Sequence, residues 1–382
     1  MKQFSTISKL LSTLISPEEL MELVEKHHYE DVARKFHVKD LLDFFVAAAL
    51  EKWAGFRDGT EVMASIGLSP ANYSTVSKKA ADVPYEIFKD LFHLLIGKCN
   101  RAKRRTKVVK QALLLVDSTT ITVGKNRLPW APFHDERSGI KLHVAYTLET
   151  GMPLEIKETG GLSHDGPAGE CLANKAFILV QDRAYGKHDR FDMFNKSNKQ
   201  KQKQYFVIRL RDNVELHRPH SLNRMQQPDS NVVGDVTCQV GTKQSRTIDR
   251  YRVVTFCDHE GHDIRVVTNV MGVSAEEIAE MYKSRWAIES FFHWIKGYLN
   301  LPILFGNSKN AVFTQLFIAL SVFVLLKWFF DQVKKTGRKS ISFRSFTRSF
   351  LAQTLAVEWL SAVVDFLCRL REYSERGLPI FG

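Results

Sequence analysis

Apolar residues in the first part of the chain recur at helical spacing, in Glu18 to His27, Tyr29 to Phe36, Lys39 to Trp53, Thr60 to Ile66 and Tyr85 to Ile96. A separate all-α unit over 1–105 follows from that pattern. From 111 the period changes: ALLLVDSTTITV is a near-continuous apolar run closed by β-branched residues, and AFILVQD reads as a fully buried strand. Between them KLHVAYTLET and MPLEIKETG predict two strands joined at the Gly151 turn, and DGPAGECLAN a short helix. YFVIRLR adds a fifth strand, so 106–211 reads as an α/β unit with a mixed sheet. Residues 212–262 predict a β-rich insertion, with runs such as DVTCQV and TIDRYRVVTFC. IRVVTNV then returns to the sheet, and Ser274 with Glu277 forms a capping box expected to open one long helix within 263–330. The remainder, 331–382, predicts a helical C-terminal region broken by the basic loop KKTGRKSISFRSFTR.

At 382 residues the chain has room for two to four structural units. Lys plus Arg outnumber Asp plus Glu by 54 to 42, and a formal charge of +12 favours a polyanionic partner. The five cysteines are scattered without a C-x-x-C pair, which argues against a zinc site or a disulfide scaffold and fits a reducing, cytoplasmic setting. Ser and Thr break the short apolar stretch near the N-terminus and no small-residue cleavage site follows, so no secretory signal is expected. The uncharged run Ala311 to Leu326 falls short of the roughly 20 residues that span a bilayer and contains Thr314 and Gln315, so it reads as a buried core helix rather than a membrane segment.

Two segments offer groups to a polyanion. RDGTEVMASIGLSPANYSTVSKKAA has two short helical stretches joined at Gly67-Leu68-Ser69-Pro70, the punctuation of a helix-turn-helix. Its second helix carries Asn72, Ser74, Thr75, Ser77, Lys78 and Lys79, able to reach base edges or phosphates; an ordinary solvated helix face is the alternative. The run KCNRAKRRTKVVK, with Arg104 and Arg105 at its centre, reads as a phosphate-tracking linker or a plain solvated one.

Candidate chemistry begins with two acids expected at strand ends, Asp117 and Asp182, because a buried carboxylate needs a partner and a cation supplies one. At about 100° per residue, Tyr282, Arg285, Glu289 and Lys296 of MYKSRWAIESFFHWIK fall within an arc of about 60°, beside an apolar stripe of Met281, Ile288, Phe292, Ile295 and Leu299. Three carboxylates from two strands and a helix suit Mg²⁺, with Arg285 and Lys296 suited to phosphate oxygens and Tyr282 able to donate a hydrogen bond or stack. A solvent-facing helix with an Arg285 to Glu289 pair is the competing reading.

The spacing Tyr282-x2-Arg285-x3-Glu289-x6-Lys296 resembles, at every position, the signature of DDE transposases of the bacterial insertion sequence four group. VDSTT and QDRAY look like the family's two aspartate motifs, and GLSHDG like its His-Asp turn. The resemblance implies a ribonuclease H-like mixed sheet with a β-strand insertion, and a chain that cuts and joins DNA at transposon ends. It implies two Mg²⁺ ions (Mn²⁺ as a substitute) on Asp117, Asp182 and Glu289. Terminal inverted repeats and target DNA would be the partners, bound by a homodimer in the bacterial cytoplasm at the nucleoid. Tyr282, Arg285 and Lys296 would hold phosphates near the cleaved end. Relatives commonly pass through a hairpin intermediate and stack a flipped base on an insertion-domain tryptophan, but no Trp lies between Trp130 and Trp286, so either another aromatic such as Tyr251 or Phe256 stacks or the hairpin step is handled differently. His164 and Asp165 read either as supporting groups or as a helix-capping turn. The rivals are a ribonuclease H-like nuclease or resolvase without strand transfer, and a DNA-binding regulator with a decayed site.

Overall fold

The computed structural model describes residues 3–100, 112–134, 136–197, 202–222, 230–335 and 341–375. It divides into two compact units, one made of Met1–Cys99, Asn126–Trp130 and His293–Gly382, the other of Asn100–Lys125 and Ala131–Phe292.

The first unit is helical. Its N-terminal helices are α1 (Gln3–Leu14), α2 (Pro17–Lys26), α3 (Val38–Glu51), α4 (Phe56–Val62), α5 (Tyr73–Asp82) and α6 (Tyr85–Cys99). The stretch 29–36, expected to be helical, is not. Long-range bonds claim it instead: the Tyr29 hydroxyl donates to Asp82, and Asp31 accepts from the Val38 amide and pairs with Lys79. The helix-turn-helix punctuation falls at Gly67, whose φ of 89° lies in the left-handed region open to glycine.

Three helices from the C-terminal part of the chain complete this unit, and in chain order they are α11 (Lys309–Lys334), α12 (Phe343–Leu351) and α13 (Val357–Glu375). The charge-free run Ala311 to Leu326 lies in α11, which is apolar on all sides, and α3, α5, α6 and α13 pack around it. It is long and apolar enough to cross a membrane, yet nearly all of it is buried inside the unit.

The second unit is built on a sheet. The strands are β1 (Leu113–Gly124), β2 (Arg137–Thr147), β3 (Met152–Gly160), β4 (Ile178–Gln181), β5 (Tyr205–Arg209), β6 (Leu216–Ser221), β7 (Val232–Val240), β8 (Tyr251–Cys257) and β9 (Asp263–Thr268). Among the described residues they form one mixed sheet in the order β3-β2-β1-β4-β5-β9-β8-β7-β6. β4 is parallel to β1 and β5, and the remaining pairs are antiparallel. The strands of 212–262 therefore continue the same sheet beyond β9.

Helices α7 (Asp165–Cys171) and α8 (His188–Asn195) pack on β1, β2 and β5, and α9 (Ala275–Lys283) packs on β4, β5, β7 and β8. The capping box of Ser274 and Glu277 is present. The long helix expected after it is instead two, because the chain turns at Ser284 and Arg285 before α10 (Trp286–Tyr298) begins. The chain is thus α/β, with a large mixed sheet and helices at both ends.

One buried ion pair ties the extended half of the sheet together. Arg252 on β8 is fully buried, and its Nε and Nη2 donate to the two oxygens of Asp235 on β7 at 2.7 and 2.8 Å. Its Nη1 donates to the Val273 carbonyl at 2.8 Å, holding the lead-in to α9. Removing one partner leaves an uncompensated buried charge. Asp235→Ala should therefore lower stability by about 3–5 kcal/mol in urea unfolding, and adding Arg252→Leu should recover much of the loss.

Candidate active site

β1 and β4 run parallel only as far as Val116 and Gln181, and both acids come immediately after that last pair. Asp182 closes β4 as expected and precedes a 3₁₀ turn, Arg183–Tyr185. Asp117 does not end its strand, since β1 continues to Gly124 through its antiparallel pairing with β2. What ends at Asp117 is only the neighbour on the β4 side. Along β1, Leu114 and Val116 face the core under α7 and α8, so alternation turns Asp117 to the opposite face.

α9 and α10 bring the remaining groups to that face. The Tyr282 hydroxyl donates to Asp182 Oδ1 at 3.2 Å. Arg285 stands between the other two acids, with Nη1 donating to Asp117 Oδ2 at 3.2 Å and Nη2 lying 2.6 Å from Glu289 Oε1. The other Asp117 oxygen accepts the Ser118 amide at 2.8 Å. The Arg285 guanidinium lies 5.7 Å from the centre of the Tyr282 ring, which joins Asp117, Asp182, Glu289, Tyr282 and Arg285 into one cluster. Among the described residues the only His, Cys, Asp or Glu trio with ligand atoms all within 4.8 Å of one another is elsewhere, at Asp258, Glu260 and His262. The ligand atoms of the three acids therefore do not all come within 4.8 Å of one another.

The electrostatics are those of crowded like charges. Burial, then the negative charges of Asp182 and Glu289, push the Asp117 carboxyl up to about 6, against the Ser118 amide and Arg285. Burial opposes the charge on Arg285, but Tyr282, Glu289, Asp182 and Asp117 hold its guanidinium above its ordinary value. Burial, helped by Asp182, raises the Tyr282 phenol against Arg285. An all-oxygen donor set in which burial and repulsion penalise a carboxylate, with a guanidinium as the resident positive charge, fits hard divalent cations.

The other expected residues fall elsewhere. Lys296 lies on α10 in the part that belongs to the helical unit, where burial lowers its amine. Ser74, Thr75 and Lys78 are exposed on α5, Ser77 is half-buried, and Val76 and Ala80 hold the opposite side in the core. Arg104 and Arg105 lie outside the described residues. Tyr251 and Phe256, the expected base-stacking substitutes, are fully buried and present no face for stacking. They sit on opposite faces of β8, and packing covers both faces at those positions. The aromatic that is available is Trp286, 64% exposed, which lines a cavity of about 790 Å³ with Phe256, Cys257, Glu280, Tyr282 and Lys283. An uncompensated tryptophan outside the helix's apolar stripe was the signal for it.

The Transposase DDE domain family matches residues 110–325, the span that carries Asp117, Asp182, Tyr282, Arg285, Trp286, Glu289 and Lys296. The chain belongs to the DDE transposases. It is 49% identical, over the full length of both chains, to the probable transposase for insertion sequence element IS5377 of Geobacillus stearothermophilus. It is 27% identical to the putative transposase for insertion sequence element IS4SA of Synechocystis sp., over 75% of this chain and 80% of that one. Among solved structures, the piggyBac transposase in a synaptic complex with hairpin DNA is similar with a TM-score of 0.50 and 12% identity, covering 98% of this chain and 85% of that one, a likeness of fold. The chain is accordingly a transposase, an enzyme of DNA transposition in a family that works with divalent metal ions.

The raised Asp117 carboxyl makes a signed prediction for the metal-free protein. A folded value of about 6 above the unfolded 3.8 means the fold binds that proton more tightly, so this group's contribution to stability falls as pH rises from about 4 to 6. Above pH 6 the ionised form costs on the order of 3 kcal/mol. Calorimetry should find Asp117→Asn more stable than the parent at pH 8, with the gap closing toward pH 4; a less stable variant at pH 8 would contradict it.

Proposed function

We propose that this transposase cuts and joins DNA at the ends of its element through Asp117, Asp182 and Glu289, on a ribonuclease H-like core with 212–262 as its β insertion. The observation that carries the reading is the single cluster in which Tyr282 and Arg285 bind the three acids, from residues up to 172 positions apart in the chain. Two Mg²⁺ ions, replaceable by Mn²⁺, suit this donor set. Bound there, divalent ions lower the pKa of an attacking water or 3′-hydroxyl and stabilise the leaving oxygen, so no histidine base is required.

The protein's own groups do the rest. Asp117 and Asp182 are fixed from two strands and Glu289 from a helix, so the donor positions are set before DNA arrives. Arg285 matches a phosphate in its planar fork, Tyr282 can donate to one, and Lys296 supplies a point charge further along α10. Trp286, exposed next to Arg285, offers a surface for a base displaced from the duplex. The helical segment 1–105 would hold transposon-end DNA, with Ser74, Thr75, Ser77 and Lys78 of α5 facing it and Arg104 and Arg105 tracking phosphates. Cleavage at two ends calls for a dimer on DNA, in the bacterial cytoplasm.

Two experiments test this. Asp117→Asn, Asp182→Asn and Glu289→Gln should each abolish Mg²⁺-dependent cleavage and strand transfer on end substrates while leaving gel-shift binding of those ends intact. Cleavage that survives any of the three would exclude that acid, and nicking without joined product in the parent would favour a nuclease. For the helical segment, Thr75→Ala with Lys78→Ala should weaken end binding at least tenfold, with the slope of log K against log salt reduced by roughly 0.9 for each phosphate no longer neutralised. Unchanged affinity would remove α5 from the interface.

A further inference from the structure

The acids are held on one face of the sheet, yet the bonds that fix their neighbours come from the other face, through α7. Ser118 follows Asp117 and points the opposite way along β1. Its amide donates to Asp117 Oδ1 at 2.8 Å, while its hydroxyl donates to Asp165 Oδ1 at 2.7 Å. Asp165 is the first residue of α7 and is itself anchored: Lys141 Nζ lies 3.2 Å from it and also donates to the Ser163 carbonyl at 2.9 Å. His143, fully buried and directly opposite Ser118 in the β1–β2 register, places Nδ1 3.5 Å from the same oxygen.

The other end of α7 reaches toward Asp182. Glu170 Oε1 accepts Arg190 Nε at 2.7 Å, and Arg190 Nη1 donates at 2.6 Å to the carbonyl of Tyr185, the last residue of the turn that Asp182 opens. Arg190 is buried. The helix also sits hard against that turn: a Cβ on Gly169 would lie 2.6 Å from the Tyr185 ring and 2.8 Å from Gln181 Nε2. No side chain larger than hydrogen fits there.

We propose that α7 is a brace that sets the separation of Asp117 and Asp182 from behind the sheet. Asp165 and Glu170 are its positioning residues, the first acting through Ser118 and the second through Arg190 and the Tyr185 carbonyl. The need for one follows from the topology. The β1–β4 ladder stops at Val116 and Gln181, one residue short of each acid, so backbone pairing no longer ties the two strands where the carboxylates must hold a fixed distance. α7 spans that gap. Groups that orient metal ligands cost roughly 10–100-fold in metal affinity or activity when lost.

The inference rests on the reading of Asp117 and Asp182 as metal ligands, and its test separates the two. Mn²⁺ affinity of the full chain would be measured by calorimetry, alongside melting temperature, end binding and the Mg²⁺ concentration for half-maximal cleavage. Ser118→Ala and Asp165→Ala should weaken Mn²⁺ binding about tenfold or more and raise that Mg²⁺ requirement, with end binding unchanged. Asp165→Asn, which keeps an oxygen to accept the Ser118 hydroxyl, should restore most of the loss. If Asp165→Ala fails to fold, Ser118→Ala decides, because it leaves the Lys141 to Asp165 pair in place. Lowered melting temperature with parental Mn²⁺ affinity in Ser118→Ala would reduce α7 to a structural element and overturn the brace alone. Parental Mn²⁺ affinity in Asp117→Asn would overturn the metal site and the brace with it.

Discussion

The structure of the sheet unit is organised by a conflict between like charges. Neighbouring carboxylates repel one another, and here Asp182 and Glu289 both press on Asp117. A chain free to relax would let them separate. Two strands of one sheet and a helix across it forbid that, and Arg285 is the counter-charge that makes the enforced proximity tolerable.

That guanidinium reaches two acids from a break between two helices. A continuous helix from Ser274 would keep Tyr282, Arg285 and Glu289 at fixed angular steps on one cylinder. The turn at Ser284 and Arg285 instead lets α9 pack on β4, β5, β7 and β8 while α10 takes its own direction. Tyr282 then closes the last turn of α9 against Asp182, and Arg285 bridges from the junction itself. The Arg252 pair with Asp235 secures the approach to α9 from the distant side of the sheet through Val273.

Much of this is legible in the chain. Continuous apolar runs mark β1 and β4, the change from helical to strand period marks the start of the sheet, and Tyr282, Arg285 and Glu289 of the four-residue signature mark the cluster, while its Lys296 falls in the helical unit. The failures share a cause, which is that local pattern is silent where distant partners decide. Residues 29–36 carry helix-like spacing, but Asp82, Val38 and Lys79 bind Tyr29 and Asp31 from outside the segment. α1 is hidden in the sequence because Ser and Thr dilute its apolar face, which the unit nevertheless buries through Ile7, Leu10, Leu11 and Leu14. Period alone does not show the break at Ser284, nor that Tyr251 and Phe256 are covered on their two faces of β8. Nor does it show that Asp165, separated from Ser118 by 47 positions, lies within hydrogen-bonding distance of it.

Of the arginine clusters of the sheet unit, those of Arg252 and Arg285 show why one argues for architecture and the other for chemistry. Arg252 spends its donors on a closed set, both oxygens of one aspartate and the backbone carbonyls of Val270 and Val273. Arg285 divides its fork between two different acids, leaves its buried Nε without a protein partner, and still does not bring Asp117 down to an ordinary carboxyl. A pair selected for stability alone would have been closed like the first, or replaced by apolar residues of similar volume at little cost. Retaining an under-compensated acid beside two others lowers the stability of the metal-free fold, and on the proposed reading a divalent cation between them would relieve that penalty.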